Sequence, residues 1–122
     1  MLFVPDVLLG KTLVDVHRED YDGDSIYFEV DDGTKYRMCH IQDCCECVYI
    51  DDIIGDLEDL VGSPLLQAEE VSNADGEPLE RRDGYFTWTF YKFATQKGYV
   101  TIRWYGTSNG YYSESVDFVR IK

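Results

Sequence analysis

Residues 85–112 read YFTWTFYKFATQKGYVTIRWYGTSNGYY, and this stretch limits the fold more than any other. Eleven of the chain's eighteen aromatics lie in these 28 residues, with three Lys or Arg and no Asp or Glu. β-branched and aromatic residues at this density favour extended chain over helix. Gln96-Lys97-Gly98 and Thr107-Ser108-Asn109-Gly110 supply turn chemistry between the runs. Three strands are therefore expected, over residues 85–95, 99–106 and 111–121. Alternation places Val100, Ile102 and Trp104 on one face, and Thr101, Arg103 and Tyr105 on the other. Residues 85–93 are aromatic on both faces: Phe86, Trp88 and Phe90 on one, Tyr85, Tyr91 and Phe93 on the other. A sheet that is aromatic on both sides has something to cover on each. Trp88, Phe90 and Trp104 are candidates for the core, and Trp88 is equally a candidate stacking residue.

Upstream, residues 11–17 alternate as a strand, and Asp20 to Asp24 form a polar turn. Residues 25–30 alternate with Ile26, Phe28 and Val30 on one side. Asp31-Asp32-Gly33 is a hairpin signal leading into a return strand over residues 35–39. In VYIDDIIGDLEDLVG, apolar residues recur at three- and four-residue steps with acids between them. This spacing predicts an amphipathic helix that stops near Gly62 and Pro64. Residues 65–71 suit another strand, and residues 72–84 (SNADGEPLERRDG) a loop. The expected fold is α+β, a mostly antiparallel sheet with one main amphipathic helix. At 122 residues the chain makes one domain, residues 1–122.

Charge narrows the function. The chain carries a formal −13. Residues 1–84 hold 22 acids against 6 bases, and residues 85–122 hold 2 against 5. An acidic shell repels a long polyanion, so DNA and RNA are not expected as ligands. A small anion can still enter a locally basic pocket. No apolar run approaches the roughly 18 residues a membrane span needs. The start, MLFVPDVLLGKTLVDV, lacks a basic n-region and is interrupted by Asp6, so no signal peptide is read there.

Cys39, Cys44, Cys45 and Cys47 crowd into nine residues, which suits reduced thiols in a cytoplasm better than a secreted disulfide framework. Their spacing does not make paired zinc knuckles. DYDGDS begins like a calcium loop, but the sixth and twelfth positions are Ser25 and Asp31. His17 and His40 are the only imidazoles, and no GxSxG, HExxH or phosphate-cradling glycine loop is present. No catalytic residue, metal or cofactor is expected.

Nucleobase binding is chemically better supplied. Arg suits phosphate through its planar fork, and Arg103 shares a strand face with Tyr105. Chemistry nominates Arg103 and Arg120 for phosphate, with Arg120 the weaker because it lies two residues from the C-terminus. Tyr105, Tyr112 or Trp88 would stack on a base, and Asn109 or Ser113 would make polar contacts. On residues alone, a ligand site and a dimer interface both account for the stretch.

The segments ECVYIDDIIGDLEDLVGSP, TWTFYKFAT and GYVTIRWYGTSNGYYSESVDF resemble the first family of phage Thoeris anti-defence proteins, over about two thirds of the chain from Cys44 onward. The resemblance implies a small α+β sponge, acting in the cytoplasm of the infected bacterium. It would bind the cyclic ADP-ribose isomer made by a TIR enzyme as an alarm signal, without cleaving it. It also implies homodimers with pockets near the subunit interface, assembly of dimers into hexamers, and in some members separate sites for cyclic oligonucleotides. On that view the acid-free stretch spares a diphosphate from nearby carboxylates. The alternative is an acidic nucleic-acid mimic that inhibits a host protein by direct binding; an enzyme that degrades the signal is a third reading.

Overall fold

The computed structural model describes residues 5–19, 24–41, 45–73, 85–108 and 114–122. Its eight strands are β1 (Leu13–Glu19), β2 (Ser25–Val30), β3 (Lys35–Cys39), β4 (Cys47–Ile54), β5 (Gln67–Asn73), β6 (Tyr85–Thr95), β7 (Gly98–Ser108) and β8 (Asp117–Arg120). Every paired neighbour is antiparallel. One sheet has the order β1-β2-β3-β8, the other β4-β7-β6-β5. The chain changes sheet between β3 and β4, and again between β7 and β8. Among the described residues no helix is long and apolar enough to cross a membrane.

The two sheets pack face to face because alternation gives each an apolar side. Ile26, Phe28 and Val30 of β2 are buried, as are Val100, Ile102 and Trp104 of β7. Phe28 joins the layers, its ring 5.5 Å from Phe93 of the opposite sheet and 5.5 Å from Phe118 of its own. The Trp104 indole N–H points across to Met38 Sδ at 3.3 Å. The β2–β3 turn follows its sequence signal: Gly33 takes φ +93° and its N–H donates to the Val30 carbonyl at 2.9 Å.

The expected main helix is absent, so the α+β expectation gives way to an all-β sandwich. VYIDDII lies in β4, and only Leu57–Leu60 form a single 3-10 turn, capped by the Asp56 side chain. The reason is a bulge. The β4–β7 register shifts between Ile50 and Asp52, so Asp51 is an extra residue. Ile50 and Ile53 consequently both turn inward at a three-residue step, which imitates helical spacing. Leu57 and Leu60 of the 3-10 turn extend the imitation by another three-residue step. The density of Val and Ile in the segment favours strand, and tertiary pairing decided in its favour.

Gly55 ends β4 at φ +105°, and a Cβ there would stand 2.3 Å from the Tyr99 carbonyl oxygen. Gly55→Ala is expected to cost about 2–3 kcal/mol through backbone strain plus this backbone clash. Chemical denaturation checks it; a loss below about 0.5 kcal/mol would show that the β4 end relaxes freely.

Strand limits differ elsewhere. The strand expected over residues 65–71 runs Gln67–Asn73, and the one expected over 99–106 runs Gly98–Ser108. Thr107 and Ser108 therefore pair within β7 instead of turning. The strand expected over residues 111–121 is only Asp117–Arg120 within the described part. The loop expected over residues 72–84 lies mostly outside the described residues. Cysteine chemistry also differs: Cys39 and Cys47 are free thiols, but Cys45 is disulfide-bonded. The expectation of reduced thiols therefore holds for Cys39 and Cys47 and not for Cys45.

Candidate functional site: the outer face of the second sheet

Residues of β6 and β7 that do not enter the core emerge on the far side of their sheet. The register sets Tyr49, Tyr105 and Trp88 in one row across β4, β7 and β6. The next row holds Asp52, Arg103 and Phe90, and the one before holds Cys47, Thr107 and Phe86. Tyr105 is the hub. Its ring lies 4.5 Å from Trp88, 5.9 Å from Tyr49 and 6.1 Å from Phe86, centroid to centroid. Trp88 and Phe90 are half-buried on this outer face, not in the core; Trp104 is core. Tyr49 is 40% exposed. Its phenol is pushed above its ordinary range, first by desolvation and then by the charge of Asp51.

Arg103 lies over this platform with its guanidinium carbon 5.5 Å from the Trp88 ring centroid, within cation–π range. It is also paired. Its Nε donates to Asp51 Oδ2 at 2.8 Å, a terminal nitrogen reaches the same oxygen at 2.7 Å, and Asp52 Oδ2 stands 3.8 Å away. The β4 bulge brings both carboxylates beside one guanidinium. The acid-free stretch is thus acid-free along the chain only. Strand pairing returns two carboxylates to its single arginine, which overturns the electrostatic explanation of that stretch.

Of the nominated residues, Arg103, Tyr105 and Trp88 come together. Arg120 does not: it belongs to β8 in the other sheet, pairs across from Tyr36, and its Nε donates to the Lys122 carbonyl at 3.0 Å. A residue two places from the C-terminus follows whichever sheet its strand joins. Asn109, Tyr112 and Ser113 lie outside the described residues. Sequence reasoning missed Tyr49, Asp51 and Asp52 because it assigned them to a helix. Phe86 had a usable signal, since it shares the alternating face of Trp88.

Behind the same sheet, Glu70, Ser72, Thr87, Thr89, Glu114 and Val116 line an open cavity of about 280 Å³. Thr87 Oγ1 donates to Glu114 Oε1 at 2.6 Å and Ser108 Oγ to Glu114 Oε2 at 2.5 Å, so hydroxyls from β6 and β7 tie down the segment that leads into β8. Burial, the largest cause, pushes the Glu70 carboxyl up, and the same cause raises the neighbouring Tyr91 phenol.

The turn that resembles a calcium loop acts structurally where it is described. Asp24 accepts from Arg18 at 3.1 Å and from the Ile50 backbone N–H at 2.7 Å. His17 is a surface residue, bonded to Asp15 at 3.2 Å and set against the Tyr27 ring.

A family model described as "Domain of unknown function (DUF7448)" matches residues 6–118. The chain belongs to this family. No curated protein and no solved structure matches it. The DUF7448 match spans both sheets, so the aromatic outer face and the core that supports it lie within one family unit.

Proposed function

We propose that this protein is a non-catalytic sponge. It holds a small base-bearing nucleotide signal on the outer face of the second sheet and keeps it from its receptor. The signal we propose is a cyclic ADP-ribose isomer of TIR-based (Thoeris) immunity. The protein would then be a phage anti-defence factor acting as a homodimer or hexamer in the cytoplasm of the infected bacterium. The observation that carries the reading is the cluster of Trp88, Tyr105, Tyr49 and Phe86 with Arg103 laid over the indole. Ring faces accept bases with little sequence demand, and one stacked base contributes roughly 1–3 kcal/mol.

Capture and release tests it. Purified protein is mixed with cyclic ADP-ribose isomers and cyclic oligonucleotides, freed of unbound ligand and heat-denatured, and the supernatant is weighed by mass spectrometry. The expected result is an intact cyclic ADP-ribose isomer in near-stoichiometric amount. Trp88→Ala is expected to weaken capture by about tenfold or more while the protein stays folded. A cleaved product would make the protein an enzyme, and no released ligand would end the nucleotide reading.

One observation favours a second reading. Asp51 and Asp52 beside the exposed Tyr49 and the half-buried Trp88 also suit a basic side chain of a protein partner, as an acidic nucleic-acid mimic would require. Pull-down of a basic host protein, lost at high salt and unaccompanied by nucleotide capture, would select it.

A further inference from the structure

We infer that the outer-face site reads its ligand through base and ribose hydroxyls, with Asp52 as the hydroxyl acceptor and Asp51 holding Arg103 away from phosphate. The inference rests on the nucleotide reading of the face. Arg103 is the cation there that a phosphate would seek, yet its Nε and a terminal nitrogen are both committed to Asp51 Oδ2. With Asp52 alongside, two carboxylates face one guanidinium, so the cluster is formally negative. A phosphate arriving at Arg103 would have to displace Asp51 and leave two carboxylates next to its own charge. Lys92, one register row beyond Arg103 on this face, stands across from Glu69, and the chain as a whole carries −13.

A sugar hydroxyl meets no such barrier. It donates to a carboxylate without bringing charge, as acidic residues do when they hold a ribose in dinucleotide sites. Asp52 has the capacity: its side chain is 53% exposed and its approach to Arg103 is only 3.8 Å. Geometry places the two functions side by side. Asp52 and Arg103 form the register row next to Tyr49, Tyr105 and Trp88. Neighbouring rows on one sheet face are about 7 Å apart, close to the span from a base to its ribose hydroxyls. A base stacked on Tyr105 and Trp88 would therefore turn its ribose to the bulge of β4 and its phosphates away from Arg103.

The test is calorimetric titration of the full chain with adenosine, 2′,3′-dideoxyadenosine and adenosine 5′-monophosphate. It is run on the wild type, Asp51→Asn, Asp52→Asn and Trp88→Ala, with circular dichroism confirming each fold. On the wild type, adenosine is expected to bind about tenfold or more tighter than the dideoxy compound, and the monophosphate no tighter than adenosine. Asp51→Asn releases Arg103 and is expected to reverse the second order, favouring the monophosphate by severalfold. Asp52→Asn is expected to narrow the gap between adenosine and its dideoxy analogue. Equal binding of those two, or tighter binding of the monophosphate to the wild type, would overturn the hydroxyl readout while leaving the platform intact. Absence of binding by all three, or binding unchanged in Trp88→Ala, would instead overturn the nucleotide reading beneath it.

Discussion

Trp104→Ala is expected to lower stability by about 3–5 kcal/mol, the range for truncating a large buried aromatic. Trp104 is fully buried at the middle of β7, and its ring fills the space between the two sheets. Its indole N–H is directed at Met38 Sδ of β3 at 3.3 Å, so the polar atom as well as the ring is used across the layers. A sandwich of two four-stranded sheets cannot collapse around such a gap without bending strands that are held by their ladders. Domains of this size have about 5–15 kcal/mol in total, so the variant should unfold at markedly lower denaturant. Tyr99→Ala is the contrast. Tyr99 lies in the same strand but is 76% exposed, and its loss is expected to stay within about 0.5 kcal/mol. A Trp104→Ala loss below about 1 kcal/mol would mean that the layers are not packed as described.

Glu46→Ala is expected to cost about 3–5 kcal/mol, the penalty for removing one member of a buried pair. The Glu46 side chain is 0% exposed and that of His40 5%. His40 Nε2 lies 2.6 Å from Glu46 Oε2, and Nδ1 lies 2.7 Å from the Ser115 carbonyl oxygen. A carbonyl only accepts, so Nδ1 carries the N–H given to Ser115, and Nε2 is left to make the contact with the carboxyl group. The imidazole thereby ties the end of β3 to the residue before β4 and to the segment before β8, at the point where the chain passes between sheets. Without Glu46 the ring loses its Nε2 contact and keeps the one to the Ser115 carbonyl. A double-mutant cycle with His40→Leu and Glu46→Leu separates pair from packing. The double variant is expected to be more stable than the sum of the single losses implies, by about 1–3 kcal/mol. Strict additivity of the two losses would show that the residues do not act as a pair.

Local chemistry was legible from the sequence wherever one strand and its turn suffice. Ser25–Val30, Lys35–Cys39 and Tyr85–Thr95 have the limits that alternation assigns them. Gly33 sits where a turn needs positive φ. The segment VYIDDIIGDLEDLVG was misread for an equally physical reason. A bulge inserts one residue into a period of two and makes a three-residue step, and a short apolar run with such steps matches strand and helix alike. Only the partner strand resolves that ambiguity, and β7 lies more than forty residues downstream.

The candidate site divides in the same way. Alternation within β7 puts Arg103 and Tyr105 on one face, and alternation within β6 puts Phe86 and Trp88 together, because a strand turns successive side chains to opposite sides whatever surrounds it. Alternation along single strands thus accounts for a mostly antiparallel sheet, for the inward face of Val100, Ile102 and Trp104, and for an aromatic face bearing one arginine. The charge set beside that face depends on pairing between strands far apart in the chain. Register between β4 and β7 set Asp51 and Asp52 against Arg103, and placement of β8 in the other sheet removed Arg120. Charges act through space, so a stretch without carboxylates along the chain becomes a site with two of them once a distant strand is paired beside it.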